Sequence, residues 1–224
     1  MPVGLAFAAL ALAFLAVALR AGGIAWTLLW PALSCALVAT AYVANRPALL
    51  GKRADGRRPA LLTLLYLPAL LGLWARWHAV RAFSAEPPWA EVAPGLWLGR
   101  RPQVHELPAG VSLVVDLTAE WERAPGLERV AHVQLPALDG MPPDPGAFLR
   151  SVEGLAGDPR PTYVHCAAGH GRSALLVAAL LIRRGVDDGP EAALTRLRAL
   201  RPAVLLTRSQ RRLLDLVPGP GVLR

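Results

Sequence analysis

The stretch Pro161-Thr162-Tyr163-Val164-His165-Cys166-Ala167-Ala168-Gly169-His170-Gly171-Arg172-Ser173 leaves this chain few folds to choose from. Residues 161–165 are β-branched and aromatic, the composition of a buried strand. Residues 173–182, Ser-Ala-Leu-Leu-Val-Ala-Ala-Leu-Leu-Ile, are apolar on every side, which predicts a buried helix. A cysteine sits where the strand ends. A short loop with two glycines then delivers the chain into the helix N-terminus.

That spacing has a chemical use. The glycines let successive N–H groups of residues 167–172 point into one concavity, a nest for an oxyanion. The helix end adds unpaired donors and partial positive charge. Arg172 can present a planar fork to two phosphate oxygens. The same positive field favours a thiolate at Cys166, since thiols in such settings reach a pKa of roughly 3.5–7.5. A thiolate facing a bound phosphate is a nucleophile for phosphoryl transfer.

His165-Cys166, five residues, then Arg172-Ser173 resembles the His-Cys-x5-Arg-Ser/Thr signature loop of the cysteine-based protein tyrosine phosphatases. The form His-Cys-x-x-Gly-x-Gly-Arg-Ser is most similar to the dual-specificity branch. The resemblance implies that Cys166 attacks phosphorus and Arg172 binds phosphate. It implies that the loop positions Ala167, Ala168, Gly169, His170 and Gly171 cradle the substrate and that Ser173 helps the thiolate leave. His165 is expected to support the loop from behind, unless it is only a core histidine satisfied by backbone. His170 faces substrate or water; the sequence does not choose.

Charge and apolarity are unevenly spread. Residues 1–83 hold eight Lys+Arg and one acid, Asp55, a net +7; residues 84–224 hold sixteen Arg and fifteen acids, a net +1. The net +8 therefore belongs almost wholly to the apolar half. That placement fits juxtamembrane charge and argues against a nucleic-acid footprint, which needs a basic stripe on the folded domain. The two cysteines, Cys35 and Cys166, do not make a disulfide framework, and a reactive unpaired thiol suits a reducing compartment.

Pro2–Leu19 is an apolar run ending at Arg20, long enough for a transmembrane helix. A secretory signal is the rival reading, but no Lys or Arg precedes the run. Ile24–Ala44 is a second span, with Trp26, Trp30 and Tyr42 toward its ends. The loop from Asn45 to Pro59 carries five Lys/Arg against one Asp. Ala60–Ala75 is a third run of sixteen residues with Pro68 inside, either a short span or an interfacial helix. With three spans, the basic loop and the catalytic domain fall on opposite faces of the membrane; with two, both fall on one. Positive charge does not decide between them, and the thiol favours a cytoplasmic catalytic domain.

Beyond the apolar region, strands alternate with helices. Glu91–Gly99 reads as a turn and first strand, similar to the Pro-Gly-Leu-Tyr-Leu-Gly opening of dual-specificity phosphatases. Val111–Leu117 and Arg129–Leu135 read as strands, and Gly146–Leu155, Pro190–Leu200 and Thr207–Leu216 as helices. The expected fold is α/β: N-terminal transmembrane helices, then a dual-specificity-phosphatase-like sandwich with a central, mostly parallel sheet flanked by helices. The expected organisation is a membrane region over 1–83, a linker over 84–90, a phosphatase domain over 91–217 and a tail over 218–224.

Cysteine-dependent phosphoryl transfer needs an acid for the leaving oxygen. The loop Leu135–Pro145 offers Asp139 and Asp144. Asp144 precedes Pro145 and suits a helix N-cap, so Asp139 is the preferred acid. The run Thr118-Ala119-Glu120-Trp121-Glu122 resembles the Asn-Glu-Glu-Tyr-Glu run of phosphatidylglycerophosphate phosphatases and their relatives. There Glu120 is expected to hold Arg172 by a salt bridge, or else to be a solvated acid. Arg201-Pro202 and Ser209-Gln210 also resemble the family's tail.

The expectation is a membrane-anchored phosphatase working through a phosphocysteine, most readily on protein phosphotyrosine, phosphoserine or phosphothreonine. A lipid monophosphate of the phosphatidylglycerophosphate kind is the alternative, and a non-catalytic phosphate-binding membrane module the third. The absence of lysine from the loop argues against a polyphosphorylated headgroup. No metal, cofactor or nucleic-acid partner is expected, and the oligomeric state is open.

Overall fold

A computed structural model describes residues 2–219; residues 220–224 of the expected tail lie outside them. The chain forms two compact units, one ending at Ser84 and one beginning at Ala85.

The first unit contains α1 (Pro2–Ala21), a 3-10 turn (Gly23–Leu28), α2 (Leu29–Val43), a second 3-10 turn (Pro47–Leu50) and α3 (Ala60–Phe83). Three stretches, Val3–Ala21, Gly23–Val43 and Ala60–Phe83, are long and apolar enough to cross a membrane. Large side chains such as Leu12, Ile24 and Leu61 stand exposed on this unit. The third stretch is longer than its apolar run. No proline or glycine interrupts residues 76–83, so the helix continues past Ala75 to Phe83. Its 24 residues extend about 36 Å at 1.5 Å each, enough for a hydrocarbon core of about 30 Å.

Pro68 sits inside α3 and removes one N–H from the helical ladder. The carbonyl it frees, four residues back at Leu64, accepts from the indole Nε1 of Trp30 on α2 at 3.1 Å. The hydroxyl of Ser34, also on α2, accepts from Ala69 N–H at 3.3 Å. Neighbouring-helix donors and acceptors of this kind are what make a proline tolerable in an apolar bundle.

The second unit holds β1 (Trp89–Ala93), β2 (Leu96–Arg100), β3 (Leu113–Thr118), β4 (Ala131–Ala137), α4 (Pro145–Ala156), β5 (Thr162–Cys166), α5 (Arg172–Arg183), α6 (Pro190–Leu200) and α7 (Arg208–Leu214). The five strands form one sheet in the order β1-β2-β5-β3-β4. All pairings are parallel except β1 with β2. The segment read as a turn and one strand is a hairpin, because Gly95 takes a φ of +72° and turns the chain at Pro94-Gly95. Trp89 and Ala90, expected in the linker, belong to β1.

Alternation along the strands sorts the core. Leu96, Leu98, Leu113, Val115 and Val164 face α4, α5, α6 and α7, packing with Phe148, Val152, Leu194 and Leu213. Trp97, Val114 and Tyr163 point the other way, against Ala124 and Leu127 of the connection after β3. Helix α5 is buried along its length from Arg172 to Ile182. A parallel sheet brings its strand C-termini to one edge, and the residues just past β3, β4 and β5 meet there.

Candidate active site

Cys166 closes β5 and is almost wholly buried. Its Sγ accepts from Gly169 N–H at 3.3 Å and lies 3.2 Å from Ser173 Oγ. The cradle depends on Gly169, whose φ is +86°. A Cβ there would lie 2.7 Å from the carbonyl carbon of Gly99, so backbone approach excludes any side chain. The N-cap of α5 is Gly171, with no side-chain cap on the first turn. Its N–H donors are therefore not taken by a capping side chain, as an anion site requires.

Arg172 begins α5 and is buried. Its Nη1 donates to Glu120 Oε2 at 2.8 Å and to the Ala137 carbonyl at 2.8 Å; its Nη2 donates to Glu120 Oε1 at 2.7 Å. Asp139 Oδ1 lies 3.2 Å from the same Nη2. The buried Nε has no hydrogen-bond partner among the described residues. Burial works against the charge, but the Glu120 carboxylate more than offsets it, with Asp139 and Cys166 adding; the guanidinium stays charged well above its ordinary range. Glu120 thus fixes the arginine from one edge and leaves Nε as a donor without a partner.

The two loop aspartates differ in their tasks. Asp144 caps α4, accepting from Ala147 N–H at 2.8 Å. Asp139 keeps a half-exposed side chain beside Arg172. Its loop is pinned from α7: Thr207 Oγ1 donates to the Gly140 carbonyl at 3.1 Å, and Gln210 Nε2 to the Met141 carbonyl at 3.2 Å. Thr207 and Gln210 also form the capping box of α7.

His165 is buried behind the loop, its Nδ1 3.4 Å from the Cys166 carbonyl and 3.9 Å from Asp116 Oδ1. Asp116 in turn accepts from Thr118 N–H and Oγ1 at 2.7 and 2.6 Å. His170 on the loop is paired: its Nε2 lies 2.5 Å from Glu86 Oε2. Glu86 also takes Arg201 Nη2 at 2.7 Å. Sequence reasoning had no signal for Glu86, a lone carboxylate before Pro87-Pro88. It had a readable one for Gln210, three residues after Thr207 at a helix start. The structure thus brings Cys166, Arg172, Ser173, Glu120 and Asp139 together, with Ala167–Gly171 between them.

A mostly parallel sheet whose central strand ends in a buried cysteine, followed by a glycine loop and an arginine at a helix foot, is the arrangement of a cysteine-dependent phosphatase. Comparison with known proteins agrees. Residues 99–214 match the family described as PTP-SAK, the Swiss Army Knife protein, DSP-PTPase phosphatase domain, and the chain belongs to that family. It is similar to the phosphatidylglycerophosphate phosphatase PTPMT1 of Arabidopsis thaliana, 32% identical over 135 residues that cover 54% of this chain and 40% of that protein. It is also similar to human dual specificity protein phosphatase 12, 32% identical over 124 residues, covering 50% and 36%. The chain thus spans well under half the length of either relative. Among solved structures, the human tyrosine phosphatase-like serine/threonine/tyrosine-interacting protein shares the fold, with a TM-score of 0.50 and 19% identity over 58% of this chain and 94% of that one.

Proposed function

We propose that the protein is a membrane-anchored phosphatase that hydrolyses phosphate monoesters through a phosphocysteine. One observation carries the reading: Cys166 Sγ sits on the Gly169 N–H, at the foot of a helix, in the same loop as an arginine held by Glu120. In the first step the Cys166 thiolate attacks phosphorus. Arg172 and the loop N–H groups hold the equatorial oxygens, where charge is spread in the transition state. Asp139 gives a proton to the leaving oxygen. In the second step water attacks the phosphocysteine, with Asp139 as base and Ser173 donating to the departing sulfur. Asp139 Oδ1, 3.2 Å from Arg172 Nη2, lies beside the arginine that is to hold the phosphate, within reach of a leaving oxygen there.

The first reading of the substrate is a phosphorylated protein side chain; a loop whose variable positions are Ala, Ala, Gly, His and Gly, with no lysine, speaks only against a polyphosphorylated headgroup. A lipid monophosphate is the second reading. It is favoured by three helices able to cross a membrane, which would hold the site near bilayer substrates, and by the similarity to a phosphatidylglycerophosphate phosphatase. A cytoplasmic catalytic unit is the reading that an unpaired, buried thiol nucleophile supports, since thiols stay reduced there. The test is a panel run on the full-length protein in detergent micelles: a phosphotyrosine peptide, a phosphoserine peptide, phosphatidylglycerophosphate and phosphatidic acid. Turnover of the peptides at a much higher kcat/KM supports the first reading; the reverse ranking replaces it with the second. Turnover of none of them, with no hydrolysis of a generic aryl phosphate, leaves only a phosphate-binding module.

A further inference from the structure

The signature loop is held open from behind by donors that take its carbonyls. Arg101 N–H donates to the Ala167 carbonyl at 3.3 Å, Arg201 Nη2 to the Ala168 carbonyl at 3.4 Å, and Leu205 N–H to the His170 carbonyl at 3.1 Å. In a trans peptide the carbonyl of one residue and the N–H of the next point opposite ways. Each outward carbonyl therefore turns the following N–H, of residues 168, 169 and 171, toward the concave side. The Gly169 N–H reaching Cys166 Sγ shows the result.

One of these braces, Arg201, and the side chain of His170 on the loop itself share one carboxylate. Glu86 Oε2 lies 2.7 Å from Arg201 Nη2 and 2.5 Å from His170 Nε2. Arg201 is buried, and its Nη1 donates to the Pro87 carbonyl at 2.9 Å. Arg100 N–H, at the end of β2, donates to the Pro88 carbonyl at 2.9 Å. The segment 86–88 is therefore strapped along the back of the loop at three consecutive residues. Burial pulls the Arg201 guanidinium down from its ordinary range and Glu86 pushes back, as expected of a buried cation that needs its counter-charge.

We infer that Glu86 is a positioning residue for the phosphate loop, setting the outward carbonyls through Arg201 and His170. The inference rests on the loop being the phosphate site. With Glu86 in place, His170 and Arg201 are spent on the scaffold and the anion meets backbone N–H groups and Arg172. Without it, the Ala168 carbonyl loses its oriented donor and the 168–169 peptide can rotate away from the nest.

The experiment uses the full-length protein in detergent micelles and reads two quantities: kcat/KM for a generic aryl phosphate and the competitive inhibition constant of inorganic phosphate. Glu86→Gln is expected to weaken phosphate inhibition and lower kcat/KM by about tenfold each, the size of coupling within one side-chain network. Glu86→Asp keeps the carboxylate and should recover part of both. His170→Ala should shift phosphate inhibition in the same direction, and the double variant Glu86→Gln/His170→Ala should lose no more than Glu86→Gln alone. Asp187→Asn, which removes a comparable pairing with Arg196 elsewhere, should leave both unchanged. Wild-type phosphate inhibition in Glu86→Gln overturns the inference, as does an equal shift in Asp187→Asn or full additivity in the double variant. Should Glu86→Gln fail to fold, Glu86→Asp and His170→Ala decide, and unaltered phosphate inhibition in both overturns it. Should the wild type hydrolyse nothing, the phosphatase reading falls, while phosphate binding to the same variants, by calorimetry, still tests the positioning role.

Discussion

The chain has two buried, unpaired cysteines, and their surroundings separate its two units. Cys35 lies on α2, facing an apolar cavity of about 590 Å³ lined by Phe7, Leu10, Pro31 and Leu73 among others. Cys166 has a backbone N–H, a serine hydroxyl and a helix N-terminus around it. The same contrast holds for leucine. Leu12 and Leu61 stand exposed on the first unit, whereas Leu175, Leu180 and Leu194 are wholly buried in the second. One unit hides its apolar side chains and gathers polar groups such as Arg172, Glu120 and Ser173 in its interior. The other turns apolar side chains outward, which is stable where the surroundings are hydrocarbon.

Substitutions made in matched pairs sharpen or break this contrast. The largest effect is expected at the cysteines: Cys166→Ser lowers aryl phosphate hydrolysis by roughly 10⁴-fold or more, the scale of losing a nucleophile, while Cys35→Ser leaves it near wild type. Equal activity in the two variants would erase the distinction. Next is Glu120→Ala, which leaves Arg172 buried without its bidentate partner. Denaturation of the second unit should show a loss of about 3–5 kcal/mol, with no matching effect from exposed charges such as Arg53. Third, Leu175→Ala in α5 should cost about 2–5 kcal/mol by the same measurement, while Leu12→Ala on α1 stays within about 0.5 kcal/mol. The smallest pair lies within one loop. Asp139→Asn should lower kcat about 10²-fold for a poor leaving group and barely move the melting temperature. Asp144→Ala should do the reverse, costing about 1 kcal/mol of stability through the lost cap with activity kept.

What the sequence made legible follows the range of the forces involved. The strand, loop and helix from Thr162 to Ile182 are read from neighbours in the chain, and the helices over Gly146–Leu155 and Pro190–Leu200 from their apolar spacing, so these lie within a residue or two of their observed bounds. Asp144 was readable as a cap because Pro145 follows it. The β1-β2 hairpin was half-hidden, since Pro94-Gly95 marks a turn but not its partner strand. The extent of α3 was hidden because Arg76 and His78 end the apolar run without ending the helix. Glu86 could not be read at all. Its partners lie 84 and 115 residues away, and only the assembled sheet brings them to it.

The central claim is that the Cys166 sulfur takes the phosphoryl group. The most direct measurement is acid quench of the full-length protein in the first turnovers with an aryl phosphate, followed by mass spectrometry of its peptides. The account predicts one phosphoryl group on the peptide holding Cys166, absent from Cys166→Ser and lost on further turnover. Steady hydrolysis by the wild type with that peptide never modified, or undiminished hydrolysis by Cys166→Ser, would contradict it.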